Sequence, residues 1–278
     1  MNKMFKILEK RKLNDQVTLM TLDAPFIARK VQAGQFVIIR IDEFGERIPL
    51  TVADFDRESG RLTIIFQAVG FTTKRLALMN EGDSIADCVG PLGCPTEFGE
   101  PKRAVVIGGG VGCAIAYPQA KALNKMGVKT DVIAGFRNKD IVILEDEMRA
   151  VANNCYITTD DGSYGEKGFV TDVLKRLIEA EKFDLVIAIG PIPMMKFVSK
   201  VTEPYGIKTI VSLNPIMIDG TGMCGGCRVT VGGETKFACV DGPDFDGHQV
   251  DFDGLMLRNG IYREQEAHAC RLGDLKNG

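Results

Sequence analysis

The chain has 278 residues, of which 45% are hydrophobic and 26% are charged, and its formal net charge at pH 7 is −3. This length allows two domains, or one domain with an appendage. The chain has no basic run and no long apolar window, so we expect neither nucleic acid nor a membrane as a partner. The first residues lack a signal-peptide pattern. We therefore expect a cytoplasmic protein whose eight cysteines are metal ligands or reduced thiols rather than disulfides.

Residues 1–100 contain short runs rich in β-branched and aromatic residues, separated by turn signals such as Glu-Ser-Gly. The runs begin at Val17, Gly34, Arg47, Arg61 and Asp83. Successive short strands of this kind are typical of an antiparallel β-barrel, which we predict for this first domain.

Two stretches of this domain resemble the FAD-binding barrel of the ferredoxin–NADP reductase superfamily, in which an R-x-Y-S/T flavin motif precedes a G-x-G-S/T phosphate loop. Arg47 matches the arginine of the motif, Leu50 its aromatic position and Thr51 its hydroxyl. Gly70 and Thr73 match the phosphate loop, which precedes a helix-like run where amides can bind phosphate. A plain barrel without a cofactor is the alternative interpretation.

The resemblance implies bound FAD, with Arg47 at the pyrophosphate or ribityl chain and Thr51 at flavin N5 or O4. Two residues depart from the pattern, since Leu50 replaces an aromatic residue and Thr72 replaces the second glycine of the loop. The predicted flavin site therefore comprises Arg47, Pro49, Leu50, Thr51, Gly70, Thr72 and Thr73.

Residues 101–213 alternate between buried strand runs and helical patterns, and the first strand ends at a glycine cluster. Four strand-loop-helix steps with right-handed crossovers predict a five-stranded, doubly wound parallel sheet. Ligands bind at the C-terminal ends of such strands, which are here the segments 108–112, 159–163 and a predicted loop at 190–194.

The glycine cluster reads G-G-G-x-G and matches the pyridine-nucleotide domain of the same superfamily. This resemblance implies a nicotinamide dinucleotide, bound by Gly108, Gly109, Gly110, Gly112, Arg137, Asp161, Gly190, Pro191 and Met194. Cys113 follows the cluster and is predicted to tune the nicotinamide site, with a buried packing role as the alternative. Thr51 and Cys113 are the candidate catalytic residues.

The charges near the second and third strand ends bear on the choice between NAD and NADP. Arg137 and Lys139 favour the 2′-phosphate of NADP, whereas Asp140 opposes it. Asp160 and Asp161 would repel a phosphate placed beside them. We therefore expect NAD(H).

A third region, residues 214–278, begins with a glycine-rich loop that carries the C-x-x-C pair Cys224 and Cys227, and Cys239 follows across a predicted hairpin. Thiolates gathered in one loop indicate a metal, and a [2Fe–2S] cluster requires four ligands. Asp219 stands where C-x4-C-x2-C spacing would place the first cysteine, so we predict it as the fourth ligand. Cys270 or a water is the alternative fourth ligand.

Structural zinc and unligated thiols are the other interpretations of this loop, although neither His248 nor His268 is spaced to complete a zinc site. The acidic tail is expected to form a small cap. Its aspartates are predicted to form a solvated face rather than a calcium site: Asp241, Asp244, Asp246, Asp251 and Asp253.

Nearly the whole chain resembles the electron-transfer subunits of dihydroorotate dehydrogenases, which carry C-x4-C-x2-C-x(11 to 15)-C followed by C-x-D-G-P-x-F. The matching positions are Asp219 in place of the first cysteine, then Cys224, Cys227, Cys239, Asp241, Gly242, Pro243 and Phe245. Within that group, the substituted cysteine and the tail sequence are most similar to the small subunits of NADH-dependent reduced ferredoxin:NADP+ oxidoreductases, also known as sulfide dehydrogenase beta subunits.

The resemblance implies an electron-transfer subunit that exchanges hydride between NAD(H) and FAD and passes single electrons through a [2Fe–2S] cluster. It also implies a large iron–sulfur flavoprotein partner, on which the ferredoxin and NADPH chemistry takes place, in flavin-based bifurcation. The alternatives are the electron-transfer subunit of an NAD-dependent dihydroorotate dehydrogenase and a redox or binding module without turnover.

Overall fold

A computed structural model describes residues 5–262, 264–265, 267–268 and 271 of the chain. Cys270 lies outside the described residues. Within the described residues, no helix is long and apolar enough to cross a membrane.

The first sheet is an antiparallel, nearly closed barrel with strand order β6-β1-β2-β5-β4-β3-β7. Its strands are β1 (Phe5–Lys12), β2 (Val17–Asp23), β3 (Phe36–Arg40), β4 (Ile48–Asp56), β5 (Arg61–Gln67), β6 (Ser84–Ile85) and β7 (Asp87–Leu92). Helices α1 (Pro25–Ala28) and α2 (Phe71–Leu78) follow β2 and β5. The barrel prediction is confirmed. Strand β1 was missed because only Ile7 among its residues is buried, so its sequence is mostly charged.

The second sheet has the order β11-β10-β9-β8-β12-β13-β16, and β10, β9, β8, β12 and β13 form the predicted parallel core. Its strands are β8 (Arg103–Gly109), β9 (Lys129–Phe136), β10 (Asn154–Thr159), β11 (Glu166–Lys167), β12 (Leu185–Ile189) and β13 (Lys208–Ser212). The helices α3 (Cys113–Lys125) and α4 (Glu145–Val151) cover one face, and α5 (Val170–Ala180) and α6 (Ile192–Thr202) cover the other.

The C-terminal region is built into this sheet rather than set beside it. A hairpin of β14 (Arg228–Val231) and β15 (Glu234–Phe237) precedes β16 (Asp244–Asp246) and α7 (Phe252–Asn259). Strand β16 pairs antiparallel with β13 and becomes the edge strand. The region that carries the cysteine loop is therefore held directly by the parallel sheet.

The barrel and the parallel sheet share a hydrophobic core. Val17, Ala53 and Ile65 of the barrel pack in one buried cluster with Ala116 and Ala120 of α3. Beside this contact, Lys121 Nζ lies 2.7 Å from both carboxylate oxygens of Asp54 on β4. Apolar burial and a close ion pair hold the two domains in contact.

Candidate functional site

Strand β4 presents the hydroxyl of the predicted flavin motif on the outer face of the barrel. Thr51 lies opposite Phe36 of β3, and cross-strand partners point to the same side of a sheet. Phe36 and Ile38 pack outside the barrel, whereas Val37 lies in its interior. Thr51 is therefore directed outward, and its half-buried side chain is open to a ligand on this face.

Leu50 and Arg47 do not occupy the positions that the R-x-Y-S/T motif predicts for a flavin contact. Leu50 packs against the barrel core, because it lies on the opposite face of β4 from Thr51. In an R-x-Y-S/T motif the arginine stands three residues before the hydroxyl, and that position here is Ile48. Arg47 lies one residue outside β4 and is exposed, so its contact with a flavin stays a prediction.

The predicted phosphate loop lies at the N-terminus of α2, as expected. Gly70 precedes the helix, and a Cβ atom added there would meet only the Thr73 hydroxyl, at 3.9 Å. Thr73 Oγ1 accepts hydrogen bonds from the amides of Val69 and Gly70, at 3.1 and 3.0 Å. The backbone here is thus open to a phosphate, and the threonine fixes the turn.

Sequence reasoning missed Glu46, which extends to this helix N-terminus. The Thr72 hydroxyl donates to Glu46 Oε2 at 2.6 Å. This carboxylate has to turn away before a phosphate can approach the same helix end, because like charges repel. No local signal marked it, since its neighbourhood depends on the loop before β4 folding over α2.

The structure brings the predicted nucleotide-binding segments together at adjacent strand ends. Strand β8 lies between β9 and β12, and a Cβ atom on Gly190 would come within 3.1 Å of the Gly109 backbone. A Cβ atom on Gly112 would lie 2.4 Å from the Ile189 carbonyl oxygen, and one on Gly109 would lie 2.5 Å from Met194 Sδ. The contact at Gly112 requires glycine because the neighbour is backbone, and the segment lies at the strand ends, where such sheets bind ligands.

Two residues of this region differ in setting from the sequence-based expectation. Met194 lies in the first turn of α6, which begins at Ile192, and not in a loop. Cys113 is fully buried, and a Cβ atom on Gly108 would lie 2.7 Å from its sulfur. Its catalytic assignment stays a prediction that is disfavoured by burial, because a thiol packed beneath the loop does not reach a nucleotide.

The predicted adenosine side carries a negative charge. The Asp161 amide donates to the Arg137 carbonyl at 3.3 Å, so the two residues are neighbours across the ends of β9 and β10. Asp161 Oδ1 accepts from the Ser163 amide and hydroxyl, at 2.9 and 2.7 Å. The Ser163 hydroxyl is the main cause that holds the pKa of Asp161 below its usual value. Asp161 is therefore an exposed carboxylate at neutral pH, beside the exposed Arg137.

Cys227 and Cys239 form a buried pair in the cysteine-rich loop, with their sulfurs 3.1 Å apart. The Gly222 amide donates to Cys239 Sγ at 3.1 Å, and the Cys239 amide donates to Cys227 Sγ at 3.4 Å. Amide hydrogen bonds of this kind stabilise metal-bound thiolates. Burial raises the pKa of Cys239, so metal binding here must displace a proton.

Asp219 and Cys224 form a second, more exposed pair. The amides of Thr221 and Cys224 each donate to the Asp219 carboxylate at 3.0 Å. The Thr221 hydrogen bond is the main cause that lowers the pKa of Asp219. The Gly226 amide donates to Cys224 Sγ at 3.4 Å. The loop thus offers one carboxylate and one thiol side by side near solvent.

This arrangement in pairs distinguishes between the candidate metals. Among the described residues, no group of three or more His, Cys, Asp or Glu side chains is gathered so as to hold one metal ion. A zinc site needs its ligands around a single ion, whereas a [2Fe–2S] cluster has two irons that share four ligands. Two pairs of donors, Cys227 with Cys239 and Asp219 with Cys224, provide the two ligands per iron that such a cluster needs.

The cysteine-rich loop packs directly on the outer face of the barrel, toward which Thr51 is directed. Cys227 and Cys239 share a buried hydrophobic cluster with Phe36 and Ile38 of β3. Because Phe36 is also the cross-strand partner of Thr51, a single strand separates the candidate flavin contact from the candidate cluster ligands. Adjacent strands lie about 4.8 Å apart, which makes this a short separation.

The tail aspartates are not all solvated. Asp241, Asp246, Asp251 and Asp253 are exposed, as predicted. The prediction is wrong for Asp244, since its Oδ1 atom is buried without a hydrogen-bond partner among the described residues. Strand β16 pairs with β13 and points this side chain between the two domains, a long-range contact that no local pattern indicates.

Comparisons with known proteins place these features in context. A family model described as the iron-sulfur cluster binding domain of dihydroorotate dehydrogenase B matches residues 214–251. The chain is 53% identical over 275 residues to the "Uncharacterized protein in adh 3'region" of Clostridium beijerinckii, which covers 96% of this chain and 93% of that protein. It is 48% identical over 261 residues to the dihydroorotate dehydrogenase B (NAD(+)), electron transfer subunit homolog of Thermotoga maritima, which covers 94% and 92%.

Two solved structures are also similar. A chain in the structure of an NADH-dependent reduced ferredoxin-NADP oxidoreductase, a study of flavin-based electron bifurcation, is 47% identical with a TM-score of 0.91 and coverage of 96% of each chain. The Amycolatopsis cytochrome P450 reductase GcoB is 20% identical with a TM-score of 0.60, covering 72% of this chain and 65% of that one. The second likeness shows the shared fold alone.

Proposed function

Because this chain belongs to the family of dihydroorotate dehydrogenase B electron transfer subunits and their homologues, we propose that it exchanges hydride between NAD(H) and FAD and passes single electrons onward. The electrons travel through a [2Fe–2S] cluster to a large iron–sulfur flavoprotein partner, in NADH-dependent reduced ferredoxin:NADP+ oxidoreduction with flavin-based bifurcation. The similarity to a chain of such an oxidoreductase over 96% of both chains supports this activity.

The observation that carries the proposal is the shared strand pair β3 and β4. Thr51 faces outward opposite Phe36, and Phe36 packs with Cys227 and Cys239. A flavin held at Thr51 and a cluster held at these cysteines would be close enough for direct electron transfer. When bound, FAD supplies the chemistry that links the two reactions, since it takes up two electrons as hydride and releases them singly.

The residues of the chain divide the work by region. Residues 1–100 hold the flavin, with Thr51 hydrogen-bonding the ring and Gly70 and Thr73 shaping the phosphate loop. Residues 101–213 hold the dinucleotide at the crevice formed by Gly109, Gly112 and Gly190. Positioning supplies most of the catalysis, because hydride passes directly between nicotinamide and flavin and needs no proton from a side chain.

Residues 214–278 hold the cluster and present one end of it outward. Cys224 is exposed, as are Ile218 and Met223 beside it, whereas Cys227 and Cys239 face the barrel. The buried pair therefore faces the flavin side and the exposed pair faces the partner. The described cysteines are all free thiols, which supports a reducing, cytoplasmic setting.

The direct test is an anaerobic titration of the isolated protein with NADH, followed by its visible spectrum. We expect one FAD and two irons per chain, bleaching of the flavin, and then reduction of the cluster. A protein isolated without colour, or a flavin that NADH leaves oxidised, would contradict the proposal and favour a redox or binding module without turnover.

A second candidate function is the electron-transfer subunit of an NAD-dependent dihydroorotate dehydrogenase. It is favoured by relatives with that name in Fusobacterium nucleatum and Streptococcus mutans, which are 36% and 34% identical to this chain. Purification of the native complex distinguishes the two. Dihydroorotate-dependent reduction of NAD+ supports the second function, and ferredoxin-dependent reduction of NADP+ supports the first.

We expect a preference for NADH over NADPH. The Asp161 carboxylate, kept ionised by Ser163, would repel a 2′-phosphate at the end of β10. Steady-state dye reduction should give a KM for NADPH about tenfold or more above that for NADH. Asp161→Asn should narrow this ratio, and Asp253→Asn, on the far exposed tail, should leave it unchanged. A lower KM for NADPH in the unmodified protein would contradict the assignment.

Asp219→Cys should retain the cluster but shift its midpoint potential. A thiolate donates more electron density to iron than a carboxylate does, and the ligand set is one of the terms that decide the potential. Redox titration of the cluster signal checks this against the unmodified protein and Asp241→Asn. An unchanged potential would remove Asp219 from the ligand set.

A further inference from the structure

A buried carboxyl group lies where the barrel, the parallel sheet and the cluster segment meet. Asp244 of β16 contacts Thr96, in the linker between β7 and β8, with 2.5 Å between Asp244 Oδ2 and Thr96 Oγ1. Gln119 of α3 donates to the same hydroxyl at 2.7 Å and lies 3.4 Å from Asp244 Oδ2. Asp244 Oδ1 and Gln119 Oε1 are both buried without a partner among the described residues.

The groups that face this carboxyl are neutral on every element packed against it. They are Thr96 on the linker, Gln119 on α3 and Ser212 on β13, whose hydroxyls and amide counteract only part of the effect of burial on the pKa of Asp244. No charged group among the described residues offsets the burial. Burial without a counter-ion disfavours the ionised form and raises the pKa of Asp244.

The hydrogen-bond geometry at Thr96 accommodates a neutral acid. A hydroxyl has one hydrogen to donate and two lone pairs to accept with. Thr96 Oγ1 contacts Asp244 Oδ2, Gln119 Nε2 and the Ala33 carbonyl oxygen, the last at 3.3 Å. If Asp244 is ionised, the hydroxyl donates to Asp244 Oδ2, and the Ala33 carbonyl keeps only its hydrogen bond from the Thr96 amide. If Asp244 Oδ2 carries a proton, the hydroxyl accepts from Asp244 and Gln119 and donates to Ala33.

This group of atoms also fixes the barrel strand beside the cluster. Gly34 has φ +89°, and a Cβ atom there would lie 2.2 Å from Thr96 Oγ1 and 3.0 Å from Asp244 Oδ2. Two residues later, Phe36 lies opposite Thr51 and packs against the cluster cysteines. The position of β16 is therefore tied to the strand that separates the two redox centres.

We propose that Asp244 is a neutral carboxylic acid whose Oδ2 proton is donated to Thr96, and that it is the positioning residue that fixes the cluster segment against the flavin barrel. The role rests on the proposed function, because the distance that it maintains is the one across which electrons pass from flavin to cluster.

The test compares Asp244→Asn, Asp244→Leu and Thr96→Val with the exposed control Asp253→Asn, in the full chain loaded with FAD and iron. Asp244→Leu and Thr96→Val should leave flavin reduction by NADH unchanged, slow cluster reduction about tenfold, and accelerate amide hydrogen exchange in residues 228–246. Asp244→Asn should match the unmodified protein in all three, because its amide donates to Thr96 as the acid does. The control should match it also.

The pH dependence separates the neutral acid from an ionised one. A carboxyl whose folded pKa is raised binds its proton more tightly in the folded state. The free energy of unfolding of the unmodified protein, minus that of Asp244→Asn, should therefore fall as pH rises above about 3.8, and level off above the folded pKa. Asp253→Asn should show no such fall.

Several outcomes would overturn the role of Asp244. It is not a positioning residue if Asp244→Leu and Thr96→Val both show the same hydrogen-exchange rates and the same rate of cluster reduction as the unmodified protein. A defect in Asp244→Asn as large as that in Asp244→Leu, or a stability difference that rises with pH, would show that the ionised form is required. If NADH fails to reduce the flavin of the unmodified protein, the proposed function fails instead, and hydrogen exchange and unfolding still decide the role of Asp244.

Discussion

Cys239→Ser should yield a protein that keeps FAD but has lost its iron–sulfur cluster. Cys239 and Cys227 are buried with their sulfurs 3.1 Å apart, so neither water nor another side chain can replace the lost thiolate. Serine oxygen is a harder and more basic ligand than thiolate sulfur. Cluster affinity should fall at least about a hundredfold, since even outer contacts to a metal site are worth about 10- to 100-fold.

Iron content and visible absorption measure this loss directly, and NADH should still bleach the flavin of the variant. Cys155→Ser is the matched control, because Cys155 is half-buried in the parallel-sheet domain and undergoes the same exchange of sulfur for oxygen. A Cys239→Ser protein that retains two irons per chain would exclude Cys239 as a ligand.

Gly112→Ala should abolish efficient use of NADH while FAD and iron are retained. The added Cβ atom would lie 2.4 Å from the Ile189 carbonyl oxygen and 2.9 Å from Gly190 Cα. Both neighbours are backbone atoms, so the N-terminus of α3 must move away from the end of β12. A displacement of about 1 Å at a binding site can cost about 10²-fold in rate, and we expect a loss of this order in kcat/KM for NADH.

Steady-state dye reduction and the dissociation constant for NAD+ test this expectation. Gly127→Ala provides the control, because an added Cβ atom there meets nothing within 4 Å. Its φ of +78° should make that control less stable by about 1 kcal/mol without weakening NADH binding. Normal kcat/KM for NADH in Gly112→Ala would mean that the nucleotide binds elsewhere.

Much of the fold could be predicted because its signals are local. Strand runs such as Ala104–Ile107 followed by a glycine cluster indicate a parallel sheet, and short β-rich runs with turns indicate a barrel. Strand β1 escaped prediction because seven of its eight residues are not buried, so it lacks an apolar alternation. Met194 differs from the expected loop position, because α6 begins at Ile192 and proline is tolerated in the first turn of a helix.

The candidate site divides in the same way. The cysteine spacing and the G-G-G-x-G cluster are each local in sequence, and the structure places Cys227 beside Cys239 and packs Gly112 against the Ile189 carbonyl. Arg47 lies four residues before Thr51, one more than the R-x-Y-S/T motif allows, so Ile48 holds the position that corresponds to the arginine. Glu46 at the phosphate loop could not be anticipated, because its contact with Thr72 joins segments 26 residues apart.

By itself, the sequence determined the two domain types, the glycine turn at the end of β8 and the thiols of the cysteine loop, because each depends on residues within one or two turns of the chain. Only the tertiary structure decided which residues Phe36 of β3 contacts. Phe36 lies opposite Thr51 of β4 and packs against Cys227 and Cys239, the candidate cluster ligands. The tertiary structure also decided that Asp244, whose residue is half-buried, has a carboxyl oxygen fully removed from solvent, whereas the other four tail aspartates are exposed. Ala33, Thr96, Gln119 and Asp244 come from four separate segments, and such contacts between remote segments leave no periodic pattern in the sequence.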